Sequence, residues 1–242
     1  MPEIKITDRI SYIPSCEKPI SGDVGIVRGD RFTYIYDTGS TPETLEFLQG
    51  LDGKCDIVIS HFHADHTWWL TRHNKGDADV SEGDTFSLSY ERPRFRNIYV
   101  GSHTKKYIPD GEAICAPTLI SAASGLKLSA DERVMPGSGN EEYDGIKISV
   151  YPLPNSHCKG SLLMMVDDEY AFIGDSSYCR EKDGKAVYNA QLLKEEIGLL
   201  ERIPADKLLI SHDRKFLRNK EVVLRQLRSI YGHRTDSPYI EV

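Results

Sequence analysis

The stretch in which Asp56-Ile57-Val58-Ile59-Ser60 runs into His61-Phe62-His63-Ala64-Asp65-His66 constrains the fold of this chain more than any other. A short apolar, β-branched run reads as a buried strand. At its carboxyl end come three imidazoles and a carboxylate within six residues. Alternate residues of extended backbone share a face, so His61 and His63 are expected to point the same way. Asp65 and His66 follow where the chain is expected to turn into a helix through Thr67-Trp68-Trp69-Leu70, and they point away from the first pair. Imidazole with carboxylate suits zinc, iron, nickel or manganese rather than calcium or magnesium alone. Two diverging pairs suit a second metal beside the first.

The same arrangement recurs along the chain. Thr33-Tyr34-Ile35-Tyr36 runs into Asp37, Tyr170-Ala171-Phe172-Ile173-Gly174 into Asp175, and Leu208-Leu209-Ile210-Ser211 into His212. In α/β sheets, ligands collect beyond the carboxyl ends of strands. Ile59-Ser60-His61 and Ile210-Ser211-His212 share three letters, which suggests two similar halves facing one site. His157, between two strands, joins Asp175 and His212 to complete the count for two metals. The predicted order alternates strands (3–7, 23–28, 31–37, 56–60, 97–100, 145–153, 161–167, 169–174, 207–211) with helices (41–51, 189–202, 218–230) in a single α/β domain over 1–242. Pro42 suits the first turn of its helix. Residues 71–96 and 109–144 read as long connections, either lids or surface decoration, with 117–126 partly helical.

Composition narrows the class. With 39% hydrophobic and 28% charged residues, a chain of 242 residues can bury its own core. Any metal is then expected to serve chemistry rather than folding. A net charge of −7 speaks against a protein that holds long nucleic acids. The start Met1-Pro2-Glu3-Ile4-Lys5 lacks a signal-peptide pattern, and no apolar run is long enough to span a bilayer. The five cysteines (16, 55, 115, 158, 179) are scattered without a C-x-x-C pair, as expected of a reduced, cytoplasmic protein. Cys158 is expected to be buried and inert. His73, His103 and His233 are expected in solvent, with His73 or His103 as candidates to line the pocket.

The ordered set H-x-H-x-D-H, then His157, then Gly174-Asp175, then the strand-terminal His212, resembles the metallo-β-lactamase superfamily. The resemblance extends from the Asp37-Thr38-Gly39 step to the helix after His212. It implies a four-layer αββα sandwich with the metals at one edge of two sheets. It also implies a ligand division: His61, His63 and His157 on one metal, Asp65, His66 and His212 on the other, and Asp175 bridging. Asp37 matches a position that supports the ligands from behind. The implied cofactors are two divalent ions, zinc first, with iron or manganese as alternatives.

Two such metals would share a water whose hydroxide is the nucleophile at neutral pH. Asp65 is the candidate to orient it and carry its proton. Tyr178, three residues after Asp175, resembles the oxyanion donor of acyl-homoserine lactone lactonases. With 13 tyrosines in the chain, a packing role is equally compatible. The expected activity is hydrolysis of a small ester, thioester or lactone. The alternatives are a phosphodiesterase or nuclease, for which Arg92, Arg94, Arg96, Lys105 and Lys106 would form a phosphate-binding rim, and a mononuclear iron oxygenase or a silent metal-binding protein. A small-molecule substrate is expected, without nucleic-acid or membrane partners, and homo-oligomerisation is left open.

Overall fold

A computed structural model describes residues 2–71, 91, 93–108, 114–115 and 144–242. Most of the two expected long connections, the predicted helical stretch 117–126, His73 and Arg92 lie outside the described residues.

Two sheets form the frame. In the first, Ile4–Lys5, Ile10–Ile13, Val24–Arg28 and Thr33–Tyr36 pair antiparallel in that order. Cys55–Val58, Asn97–Val100 and Ile114–Cys115 then extend the sheet in parallel. In the second, Ile148–Pro152, Leu162–Val166 and Tyr170–Gly174 are antiparallel, Lys207–Ile210 is parallel to Tyr170–Gly174, and Leu217–Asn219 closes the edge.

Parallel neighbours need a crossover, and a helix lies in the one between Thr33–Tyr36 and Cys55–Val58 and in the one between Tyr170–Gly174 and Lys207–Ile210. Helix α1 (Pro42–Gly50) links Thr33–Tyr36 to Cys55–Val58; Thr41 caps it, accepting from Thr44 N at 3.4 Å, and proline opens its first turn. A short helix α2 (Ala64–Thr67) follows the histidine run. Helix α3 (Ala190–Arg202) lies between Tyr170–Gly174 and Lys207–Ile210, capped by Asn189, which accepts from Leu192 N at 2.9 Å. Helix α4 (Lys220–Gly232) follows the last strand of the sheet.

Side-chain parity explains the layering. Along Leu162–Val166, Leu162, Met164 and Val166 face the other sheet, where they meet Val27, Tyr34, Tyr36 and Val58. Leu163 and Met165 face outward and are covered by Leu193, Leu200, Leu224 and Leu227 of α3 and α4. On the outer face of the first sheet, Ile26, Ile35 and Ile57 pack with Leu48 of α1 and with Trp69 and Leu70. The inner strands, such as Val24–Arg28, Leu162–Val166 and Tyr170–Gly174, are therefore buried on both faces, as packing between two layers demands, and the layers run α, β, β, α.

Several elements differ from expectation. Ile10–Ile13 is a central strand that the sequence hides, because Ser11 interrupts its apolar run, yet Ser11 is buried and accepts from Arg28 Nη1 at 2.8 Å. Leu217–Asn219 pairs with Lys207–Ile210, so the segment predicted as the start of a helix at 218 is first an edge strand. Arg180–Lys182, Lys185–Asn189 and Tyr239–Glu241 form a small sheet whose polar composition gave no strand signal. Among the described residues no helix is long and apolar enough to cross a membrane.

Candidate metal centre

Two of the parallel pairs, Thr33–Tyr36 with Cys55–Val58 and Tyr170–Gly174 with Lys207–Ile210, converge on one edge. In each half a strand ends in aspartate, a helix crosses over, and a parallel strand ends in Ser-His: Asp37 with Ser60-His61, and Asp175 with Ser211-His212. Asp37 and His212 adopt left-handed backbone, with φ of 65° and 59°. That conformation is costly for residues other than glycine. Here it turns each side chain out of its strand line.

The seven expected ligands meet at this edge. His61, His63, His157 and Asp175 offer ligand atoms within 4.8 Å of one another, and so do Asp65, His66 and His212. His61 Nε2 and His157 Nε2 lie 2.9 Å and 3.1 Å from His63 Nδ1. His212 Nε2 lies 3.0 Å and His66 Nε2 3.4 Å from Asp65 Oδ2. Asp175 Oδ2 stands between the two groups, 3.5 Å from His157 Nε2, 3.4 Å from His66 Nε2, 3.8 Å from His212 Nε2 and 4.0 Å from His61 Nε2.

Hydrogen bonds behind the ligands aim these atoms. Asp37, fully buried, accepts from Ser60 N and Ser60 Oγ, both at 2.7 Å, and lies 2.8 Å from His66 Nδ1. Because the Ser60 hydroxyl gives its proton to Asp37, it is left to accept from His61 Nδ1 at 2.8 Å. His157 Nδ1 faces the Cys179 carbonyl at 3.3 Å. We assign the proton to Nδ1 in all three rings, which turns the Nε2 lone pairs inward.

The expected support by Asp37 is thus joined by Ser60, which the sequence reading passed over although its letter repeats at Ser211. Two more such residues come from one turn. Asp23 accepts from Ser211 Oγ at 3.2 Å and His212 N at 2.8 Å, and so holds the backbone of His212. Gly22 backs the His66 ring so closely that a Cβ there would fall 2.7 Å from Cε1.

The electrostatics are those of a cation site. Burial opposes charge on His66, but Asp175, Asp37 and Asp65 outweigh it and raise its pKa well above the ordinary value. Burial and the neighbouring imidazoles lower His61 strongly and His63 to about 4. Against burial, His66 and His212 hold Asp65 ionised, and His66 does the same for Asp175. Buried His66 Nε2 and Asp175 Oδ1 lack hydrogen-bond partners. Convergent lone pairs, orphaned polar atoms and an excess of buried carboxylate fit divalent metal ions of the N/O-ligated type.

The remaining candidates fall outside the ligand groups. Tyr178 Oη donates to the Ser211 carbonyl at 2.9 Å while its ring packs near α3 and α4. Cys158 is buried, and burial pushes its thiol up to about 11, in keeping with an inert cysteine. His233 is exposed, whereas His103 is half-buried against Phe62 and Tyr107. Of the residues named for a phosphate-binding rim, Arg94 and Arg96 stand away from the site. Arg96 forms a two-pronged pair with Asp56 at 2.7 Å, where the parallel strands begin, at the end of the sheet opposite His61. Arg94 pairs with Glu91 in solvent. Lys105 and Lys106 follow Asn97–Val100 and lie on the site's side. A cavity of about 290 Å³ opens behind the loop carrying His157, lined by Pro154, Lys159, Leu192 and Glu195 among others, and none of the seven His and Asp side chains lines it.

Comparison with known proteins accords with this geometry. The family model described as "Metallo-beta-lactamase superfamily" matches residues 18–73, which include the H-x-H-x-D-H run. No curated protein sequence matches the chain. Among solved structures, a metallo-β-lactamase from Pontibacter korlensis is similar over 96% of this chain and 99% of that one, with TM-score 0.55 and 14% identity. The metallo-β-lactamase FIM-1 from Pseudomonas aeruginosa, in a mono-zinc form, is similar over 96% and 94%, with TM-score 0.57 and 12% identity. The flavodiiron protein from Giardia intestinalis is similar over 96% of this chain and 60% of that one, with TM-score 0.59 and 8% identity. At these identities the likeness is one of fold.

Proposed function

We propose that this chain is a binuclear metal-dependent hydrolase of the metallo-β-lactamase superfamily, whose family model matches residues 18–73, acting on a small ester, thioester or lactone. The observation that carries the proposal is the place of Asp175 Oδ2, within 4.0 Å of Nε2 atoms from both ligand groups. A carboxylate oxygen so shared suits two ions better than one.

In this reading His61, His63 and His157 would hold one ion and Asp65, His66 and His212 the other, with Asp175 a ligand that would serve both. Zinc is the expected metal. Bound divalent metals supply Lewis acidity toward the scissile oxygen and bring the pKa of water towards neutrality. The chain's own groups do the rest. Asp65, whose Oδ2 lies 3.4 Å from His66 Nε2 and 3.0 Å from His212 Nε2, orients the attacking water, takes its proton and passes it to the leaving group. Asp37 and Ser60 keep the histidine rings in place through the cycle. Tyr178 is assigned the oxyanion donor role, for which its proton must leave the Ser211 carbonyl.

The absence of Arg94 and Arg96 from the site edge supports an acyl substrate over a phosphodiester. The test is a panel with metal analysis. Two metals per chain and cleavage of 4-nitrophenyl esters or lactones are expected, with activity lost in His61→Ala and Asp175→Ala. Cleavage of bis-4-nitrophenyl phosphate alone would overturn the acyl assignment, and a single iron without hydrolysis would overturn the hydrolase.

A further inference from the structure

A planar apolar surface stands beside the candidate ligands. The ring of Phe62, between His61 and His63 in sequence, meets the His63 ring at 5.0 Å and 72°. Tyr107 stacks on Phe62 at 4.9 Å and 12°, and His103 meets Phe62 edge-on at 5.0 Å. Tyr107 stays 46% exposed, so this aromatic group is open to solvent.

Backbone packing fixes where this surface sits. Tyr107 ends a 3-10 turn, Thr104–Tyr107, that leaves the first sheet after Asn97–Val100. A Cβ at Gly101 would fall 1.8 Å from the Gly160 carbonyl oxygen, and one at Gly160 would fall 2.8 Å from His103 Cβ. Gly160 also has a φ of +70°. Two glycines therefore let the turn seat directly on the loop that carries His157, tying the aromatic surface to the ligands.

The same turn and loop carry unpaired charge. Lys105, Lys106 and Lys159 are exposed, and none makes an ion pair among the described residues. Lys106 N donates to the His103 carbonyl at 3.3 Å, and Lys159 precedes Gly160, which lies against His103, so both lysines start beside that ring; their charges add to burial in lowering its pKa. On a chain of net charge −7, this is a local positive field over an aromatic face.

We infer that Phe62, Tyr107, Lys106 and Lys159 form a subsite for the non-reacting end of the substrate, and that this end is a planar apolar group bearing a negative charge. Stacking on Tyr107 and Phe62 provides the apolar contact. The lysines select anions over neutral analogues and speed their approach. The inference rests on the hydrolase reading for the reaction, but the binding it requires is measurable without turnover.

The experiment titrates the full chain, with and without metal, using naphthalene-2-sulfonate and its neutral counterpart, methyl 2-naphthyl sulfone, by calorimetry. A sulfonate is a poor metal ligand, so binding reports the subsite rather than the ions. The sulfonate is expected to bind about tenfold tighter than the sulfone. Tyr107→Ala should weaken both probes by about tenfold, and the double substitution Lys106→Gln with Lys159→Gln should bring the two to parity. Equal affinity for the two probes, or a preference untouched by the lysine substitutions, overturns the subsite. In parallel, mono(4-nitrophenyl) succinate and 4-nitrophenyl butyrate are compared as substrates. Failure to cleave either ester counts against the hydrolase alone, whereas cleavage with no anion-selective binding counts against the subsite alone.

Discussion

Glu196 lies on the inner face of α3, fully buried, and neither carboxylate oxygen has a hydrogen-bond partner. Burial raises its pKa well above the ordinary 4.5, and only Ser176 favours the charged form. An unpaired carboxylate in an apolar layer is expensive, so the folded protein keeps the acid neutral. The sign follows from proton counts. Above pH 4.5 the unfolded chain releases this proton while the folded chain retains it, so stability falls as pH rises towards the folded pKa. Each pH unit between 4.5 and the folded pKa costs about 1.4 kcal/mol, the free energy of one proton bound by the folded chain and not by the unfolded one. Glu196→Gln removes the titration while keeping the shape. Urea unfolding of metal-free wild type and variant from pH 5 to pH 8 measures the effect, and the other titrating groups cancel in the difference. Relative to wild type, the variant should gain about 1.4 kcal/mol per pH unit above the unfolded pKa, until the folded pKa is reached. An amide left unsatisfied adds a constant offset, so the slope carries the test. A difference flat across this range, or one that falls with pH, would refute a neutral buried Glu196.

Ser60→Ala breaks the path from His61 Nδ1 through the hydroxyl to Asp37; metal affinity by competitive chelation should fall roughly 10- to 100-fold, with little change in secondary structure by circular dichroism. Gly22→Ala drives a methyl into the His66 ring; of the two proposed ions, the one assigned to Asp65, His66 and His212 should be lost first, seen as stoichiometry falling from two towards one. Tyr178→Phe separates donor from packing residue: we expect kcat on a lactone to fall by at least about tenfold at unchanged KM, whereas a lowered Tm with kcat retained would leave Tyr178 only its hydrogen bond to Ser211.

Much of the frame was legible because burial on both faces writes a continuous apolar run. Val24–Arg28, Tyr170–Gly174 and Lys207–Ile210 lie within a residue or two of their predicted ranges, and so do α1 and α3. Where that mark is missing, reading fails. Ile10–Ile13 carries a buried serine, and Arg180–Lys182 is polar throughout. Spacing along the chain says little about which of the basic residues share a side of the sheet. Arg94 and Arg96 are close in sequence to Lys105 and Lys106, but Asn97–Val100 runs between them and puts the two groups at opposite ends of the sheet.

The candidate ligands show the same division. Metal binding draws on few side-chain types, and placing them at the ends of apolar strands leaves a mark in linear order, so all seven could be named before any contact was known. Their supports leave no such mark. Asp23 reaches Ser211 across 188 positions, and Gly22 matters only because the His66 ring lies against it. Asp37 and Ser60 are 23 residues apart, and only the parallel pairing of Thr33–Tyr36 with Cys55–Val58 brings the carboxylate to the hydroxyl. Local order can encode which atoms are available to a metal. Which way their lone pairs point depends on distances between segments that meet only when the sheets close.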